Sequence, residues 1–152
     1  MLIRVKSIMF KINGKEDYFQ QIPKVLKIEI FKYLPLSELI NVTEVNKYLC
    51  ALIRGHKWDH LIVSLRNIEK IESVIKNFNF IKYDFSFSNI TDDIVKKLSG
   101  CHTLNLTYCH QITDESVKEL RGCHTLDLSG CANITNALVK SLEESVVNFI
   151  KQ

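Results

Sequence analysis

Cysteine and histidine recur side by side in the second half of the chain, as Cys101-His102, Cys109-His110 and Cys123-His124, with Cys131 following. Thiolate and imidazole are the side chains that ligate zinc, so a metal centre is the first chemistry these types suggest. Acidic pairs, Asp92-Asp93 and Asp114-Glu115, suggest a second, general acid–base work. The spacing argues against both. Ile90 to Gln111 reads ITDDIVKKLSGCHTLNLTYCHQ and Ile112 to Asn133 reads ITDESVKELRGCHTLDLSGCAN, so equivalent residues return 22 positions apart. Such repetition stacks like side chains in parallel columns about 4.8 Å apart, whereas zinc needs three or four ligands converging on a tetrahedron. Core and turn positions are therefore expected for the cysteines, with no metal and no cofactor. The acidic pairs fall at helix starts, where negative charge favours the exposed backbone donors. His102 and His124 repeat with the scaffold, which argues for a structural place, and Cys50 is expected to pack on a helix. There is no glycine-rich phosphate loop and no nucleophile elbow. No catalytic residue is expected, and the chain reads as a non-enzyme.

The elements that place these residues follow from the same period. A third copy opens at Ile134 as ITNALVKSL and departs at Glu143-Glu144-Ser145. Within a copy, Leu104-Asn105-Leu106 alternates as a strand does, while Val117 and Leu120 are three apart, as on a short helix. Alternating apolar pairs at that interval are Leu61/Val63, Tyr83/Phe85, Leu104/Leu106, Leu126/Leu128 and Val147/Phe149, their first members separated by 22, 21, 22 and 21 residues. Strands that return after an intervening helix are parallel, because the chain is carried back across one face. The expected fold is α+β overall, with residues 59–152 an α/β solenoid of about four repeats, a parallel sheet of about five strands and a divergent, capping last copy. Ile68, Ile71, Val74 or Ile75, and Phe78 mark a longer amphipathic helix, and Thr91-Asp92, Thr113-Asp114 and Thr135-Asn136 supply caps for the later ones.

Side chains between the apolar pairs face the opposite, concave side: Lys82, Asp84 and Ser86, then Thr103, Asn105 and Thr107, then Thr125, Asp127 and Ser129. Small and polar, most of them read as a solvated face. The candidate target-binding set is Asp84, Asn105, Thr107, Asp127 and Ser129, with Tyr108 at the strand edge and His110 in its turn as the local aromatic exception.

The pattern C-x-x-L-x-L-x-x-C-x-x-I-T-D, as it stands from Cys101 to Asp114, resembles the cysteine-containing subfamily of leucine-rich repeats. The resemblance implies that Cys109 and Cys131 serve the turn after the strand, and that Cys101 and Cys123 take an apolar place before it.

The first third differs in kind. Apolar residues fall at helical spacing: Pro23 opens a helix with the stripe Leu26, Ile30 and Leu34, flanked by Phe31, and Pro35 ends it. Ser37 is expected to cap a second helix carrying Leu39 and Val42, and Val45, Leu49, Leu52 and Ile53 mark a third before Gly55. Ile22-Pro23, Val25-Leu26, Ile30-Phe31, Tyr33-Leu34, Leu36, Leu39, Val45 and the closing Trp58 together resemble an F-box over residues 20–58. An F-box followed by leucine-rich repeats is a recurrent family architecture. The resemblance implies docking of a Skp-type adaptor, and through it cullin, by Ile22, Pro23, Leu26, Ile30, Leu34, Leu36, Leu39 and Val45. The repeats would then present a target protein for ubiquitin transfer by other subunits. Singly, Leu26, Ile30 and Leu34 either contact that partner or hold the three helices together. Trp58 has the further option of fixing the helices against the solenoid.

Residues 1–19 read either as a small hairpin, with Asn13-Gly14 as its turn, or as a leader. Of the 152 residues 46% are hydrophobic and 24% charged, enough apolar surface for one or two small cores. A net charge of +3, without a block of like charges, gives no reason to expect nucleic acid. No apolar run reaches the roughly 20 residues of a membrane helix, and charges interrupt Met1–Lys6 where a signal peptide needs an apolar core. A monomer outside its complex, located in cytoplasm or nucleus, is the expectation. Composition and short repeats are similar to F-box proteins of amoeba-infecting giant viruses and protists, in which case the cell is the host's. The rival readings are an interaction scaffold whose helices only cap the solenoid, and a short decoy that occupies the ligase.

Overall fold

The computed structural model describes residues 21–45 and 47–151, so the hairpin-or-leader question at 1–19 lies outside the described residues. The chain divides into two compact units between His56 and Lys57, which assigns Trp58 to the second.

In the first unit three helices follow one another, α1 (Lys24–Phe31), α2 (Leu36–Val42) and α3 (Lys47–Arg54). Proline starts two of them. Pro23 (φ −54°) and Pro35 (φ −63°) stand at the N-caps of α1 and α2, where the fixed ring angle suits a helix entrance and the missing N–H costs nothing. Their carbonyls accept from Lys27 and from Glu38 and Leu39. Ser37 therefore lies inside α2 rather than capping it. Helix α3 packs on both α1 and α2, and the buried apolar side chains are Ile28, Phe31, Leu39, Val42, Leu49, Leu52 and Ile53.

Helix α1 turns Lys27, Ile28 and Phe31 inward, while Leu26 and Ile30 of the apolar stripe are exposed and Leu34, past the helix end, is half-buried. Lys27 lays its stem inside while its Nζ donates to Tyr48 Oη at 3.2 Å and sits 4.7 Å from that ring's centre. The whole Lys27 side chain is buried, so a lysine takes a place in the inward face that apolar letters alone do not mark.

The second unit is a parallel solenoid. Strands β2 (Val63–Ser64), β4 (Lys82–Asp84), β5 (Thr103–Asn105), β6 (Thr125–Asp127) and β7 (Asn148–Ile150) form one sheet in the order β2-β4-β5-β6-β7. A separate two-stranded parallel pair, β1 (Lys57–Trp58) with β3 (Asn79–Phe80), was not expected. It places the fully buried Trp58 against Phe80, ring centres 6.5 Å apart. Helices α4 (Ile68–Asn77), α5 (Asp92–Lys96), α6 (Asp114–Val117) with the 3-10 turn Lys118–Leu120, and α7 (Asn136–Glu143) carry the chain between the strands.

Equivalent residues of successive copies stack into buried columns: Tyr83, Leu104 and Leu126; Phe85, Leu106 and Leu128; Ile90, Ile112 and Ile134; Leu98 and Leu120. Each fully buried aliphatic is worth about 1.5–3 kcal/mol of transfer free energy, and only stacking removes both sides of a copy from water. The inner registers match expectation, Tyr83 opposite Leu104 and Leu104 opposite Leu126. The two end strands do not. Val63, not Leu61, pairs with Tyr83, and Phe149, not Val147, pairs with Leu126. A slip of two leaves every side chain on its own face, so alternation cannot detect it.

Helix caps agree in part. Asn67 accepts from Lys70 N at 2.9 Å, Thr113 from Glu115 N at 3.3 Å and Thr135 from Leu138 N at 3.4 Å, whereas Thr91 makes no side-chain cap bond.

Candidate functional site

The expected adaptor-binding residues separate by exposure. On α1, Leu26 and Ile30 stand 54% and 47% exposed, flanked by Val25 at 71% and by Tyr33, just past the helix end, at 89%. Pro23 is exposed, and Ile22, Leu34, Leu36 and Val45 are half-buried. Leu39 is fully buried with Val42 on the inner side of α2, so it belongs to the core and not to a docking surface. Single exposed leucines are ordinary, but a row of large apolar groups along one short helix is not. Val25 and Tyr33 were not singled out for this row. Their sequence signal was the match of Val25-Leu26 and Tyr33-Leu34 to the F-box pattern; their exposure follows from Lys27, Ile28 and Phe31 taking the inward side.

The expected target-binding set lies along the strand ends, and one side-chain oxygen each of Asp84, Asn105 and Asp127 is occupied. Asp84 Oδ1 accepts from Ser86 N at 3.0 Å and from Ser86 Oγ at 2.7 Å. Asn105 Oδ1 does the same for Thr107, at 2.9 Å and 2.6 Å, and Asp127 Oδ1 accepts from Ser129 N at 2.9 Å. These are local turns in which a short side chain satisfies the backbone two residues on. These oxygens close the ends of their own strands.

Beyond each turn sits the aromatic exception. Phe87 (φ 57°) and Tyr108 (φ 55°) both adopt the left-handed region, as does Gly130 (φ 69°) at the equivalent place. The Phe87 and Tyr108 rings stack with centres 5.0 Å apart, and His110 meets Tyr108 edge-on at 6.2 Å. Tyr108 also covers Gly130, where an added Cβ would lie 2.6 Å from its ring. Phe87, missed earlier, is legible as the residue 21 positions before Tyr108.

The cysteines and acids do repeat work. Cys109 Sγ donates to Phe85 O at 3.2 Å and Cys131 Sγ to Leu106 O at 3.1 Å, each reaching one copy back. Burial pushes both thiols up. Cys101 and Cys123 touch, with sulfurs 3.7 Å apart. The hydrogen-bonding contact with Cys123, together with burial, holds Cys101 up, so it remains a thiol. Cys50 is half-buried on α3. Asp92, expected to serve its own helix start, instead reaches the next copy: its carboxylate accepts from Thr113 N at 2.8 Å, from Thr113 Oγ1 at 2.6 Å and from the buried Ser116 Oγ. Asp114 repeats this toward Thr135 N at 2.8 Å and Thr135 Oγ1. The column stops at Asn136.

His102 and His124 are exposed, not packed as part of the scaffold, and their rings stack on each other. Among the described residues no three histidine, cysteine or acidic side chains gather as a metal would require. Nor is any described helix long and apolar enough to cross a membrane.

No curated protein matches the chain. Residues 102–120 match the family model described as Leucine Rich repeat, the stretch that holds β5, its cysteine turn and helix α6 with the turn after it. That copy, and the parallel sheet built by its neighbours, identify a leucine-rich repeat within this chain.

Proposed function

We propose that the protein is a non-enzymatic adaptor whose helical unit, an F-box in kind, docks a Skp-type subunit and through it a cullin ligase. The observation that carries this reading is the outward apolar row of α1, Val25, Leu26 and Ile30, continued by Tyr33 just past its end, beside the proline entrance at Pro23. Exposing that much apolar surface on a small helical unit is unfavourable unless a partner covers it, and an amphipathic helix laid into an apolar groove is a common way to do so. The repeat match at 102–120 supports an interaction role for the second unit.

The test is binding to purified Skp-type adaptor. Leu26→Lys with Ile30→Lys, and separately Ile22→Ser with Pro23→Ser, abolish co-purification while the circular dichroism spectrum stays that of the wild type. Unchanged co-purification refutes the docking assignment and leaves a scaffold whose helices do no recruiting.

A second reading concerns the repeats. Because Asp84, Asn105 and Asp127 spend their inner oxygens on their own turns, the concave row supports a decoy that occupies the ligase without presenting a target. Both readings predict competition with an established receptor for the adaptor; ubiquitin transfer to a third protein captured by the repeats is expected of the substrate receptor and not of the decoy.

A further inference from the structure

Adaptor docking gives the thiols of the repeats no work, and one pair of them is set for a chemistry of its own, whatever the helical unit binds. Cys101 and Cys123 stand 22 residues apart on successive copies, with their sulfurs in contact at 3.7 Å. The backbone fixes the register beside them, since His124 N and Thr125 N both donate to His102 O, at 3.0 Å and 2.9 Å. Parallel neighbours repeat about 4.8 Å apart, and a disulfide spans Cα atoms roughly 4.4–6.8 Å apart. The pair therefore closes by turning its side chains, with no slip of one copy against the next. Cys109 and Cys131 keep the same interval but face differently: each sulfur donates to a backbone carbonyl one copy back, Phe85 O at 3.2 Å and Leu106 O at 3.1 Å.

We propose that Cys101 and Cys123 are a site of reversible oxidation, at which hydrogen peroxide links two successive copies through a disulfide. Cys123 is the attacking sulfur. Its own S–H is directed to Thr125 O at 3.0 Å, which leaves its lone pairs to the S–H of Cys101. That bond favours the Cys123 thiolate and, against burial, holds the thiol below its ordinary value. The thiolate attacks one peroxide oxygen, the O–O bond breaks, and the leaving hydroxide takes a proton to become water. Cys101 then attacks the sulfenic sulfur, the S–O bond breaks, and the Cys101 proton leaves with the hydroxyl as a second water. Two thiols are oxidised to one disulfide while one peroxide is reduced. The sulfurs lie one residue deep: Cys101 and Cys123 are 5% and 2% exposed, the first between exposed Gly100 and His102, the second between exposed Gly122 and His124. Nothing stands within 4 Å of the place a Cβ would take at either glycine. So thin a cover favours a small oxidant over a bulky reagent.

The experiment treats the reduced full chain with hydrogen peroxide under native conditions, blocks the remaining thiols with N-ethylmaleimide after unfolding, and locates every link by tandem mass spectrometry. A link between Cys101 and Cys123, lighter by two hydrogens than the paired thiols, is the main product; dithiothreitol restores both thiols, and the fluorescence of Trp58 stays native throughout. Cys101→Ala abolishes the link, whereas Cys109→Ala with Cys131→Ala keeps it. Cys101 and Cys123 both recovered as thiols after Cys50 has been oxidised, a link through Cys109 or Cys131 at equal yield, or a link that forms only once the Trp58 signal has become that of the unfolded chain each overturn the site. Mapping of the wild type tests the proposal without any variant, and adaptor binding enters none of these readouts.

Discussion

Removing the Asp92 carboxylate is the sharpest test of how the copies are held together. Three donors converge on it, Thr113 N, Thr113 Oγ1 and Ser116 Oγ, all from the following copy. Hydrogen bonds to a charged acceptor contribute about 1.5–3 kcal/mol net when buried, and less where solvent competes. Thr113 is only half-buried and regains water on deletion, whereas Ser116 is fully buried and keeps one longer bond, 3.3 Å, to Thr113 O. Asp92→Ala should therefore cost about 2 kcal/mol. Asp92→Asn, which keeps one acceptor oxygen and lets the hydroxyls turn round, should cost about 1 kcal/mol. Asp114→Ala, whose partner Thr135 is exposed, should cost less than either. The single tryptophan, Trp58, is fully buried in the repeat unit, so urea unfolding followed by its fluorescence reports that unit. The pH dependence has a definite sign. Partial burial pushes Asp92 up, but the bonds from Ser116 and Thr113 outweigh it and hold the carboxyl below the usual range. A group with a lowered folded pKa contributes stability that is present above its unfolded value, about 3.9, and is lost as pH falls through the lower folded value. The gap between wild type and Asp92→Asn thus narrows only as pH falls through the unfolded value of about 3.9 and on through the lower folded value. An Asp92→Ala protein within about 0.5 kcal/mol of wild type, or a gap that does not close in acid, would refute the cross-copy role.

Other outcomes follow from the same geometry. Gly130→Ala places a Cβ at a φ of 69° and 2.6 Å from the Tyr108 ring; it should cost about 1–2 kcal/mol and separate Tyr108 from Phe87, seen as a changed ring-current shift on both. Leu106→Ala, in the middle of a fully buried column, should cost about 2–5 kcal/mol by the same fluorescence assay, and a smaller loss would mean the column is loosely packed. With a thiol reagent under native conditions Cys50 should react first and alone, because Cys101, Cys109, Cys123 and Cys131 are buried; a Cys50→Ser protein that still reacts quickly would contradict that burial.

The repeat unit was legible because its period is written twice almost verbatim. Whatever lies in a column, Leu104 with Leu126 or Cys101 with Cys123, could be aligned from letters alone. What went unread are relations between copies. Asp92 matches a capping residue by type and position, and only three dimensions reveal that its nearest donors belong to the residue 21 places on. The end strands were misaligned by two for a related reason. Strands β5 and β6 repeat nearly the same letters, whereas β2 and β7 lie at the sheet edges, each with one neighbour whose sequence it does not repeat.

The helical unit shows the opposite limit, and it decides where the docking argument rests. A short helix with apolar residues at 25, 26, 28, 30 and 31 offers more than one face to choose as the core. The inward face is selected by Lys27, whose stem packs while its head meets Tyr48 across 21 residues of sequence. A polar letter thus decides which apolar letters are displayed. Replacing Lys27 by Ala should loosen that choice: the unit loses the stem's packing and the bond to Tyr48, and α1 becomes free to turn Leu26 or Ile30 inward. Adaptor binding should then fall although every residue of the exposed row is intact. Restoring bulk with Lys27→Met, which keeps the stem's packing without the charge, should recover binding if packing sets the face. Failure of the methionine variant would assign the selection to the polar contacts of the Lys27 ammonium, that with Tyr48 among them, instead.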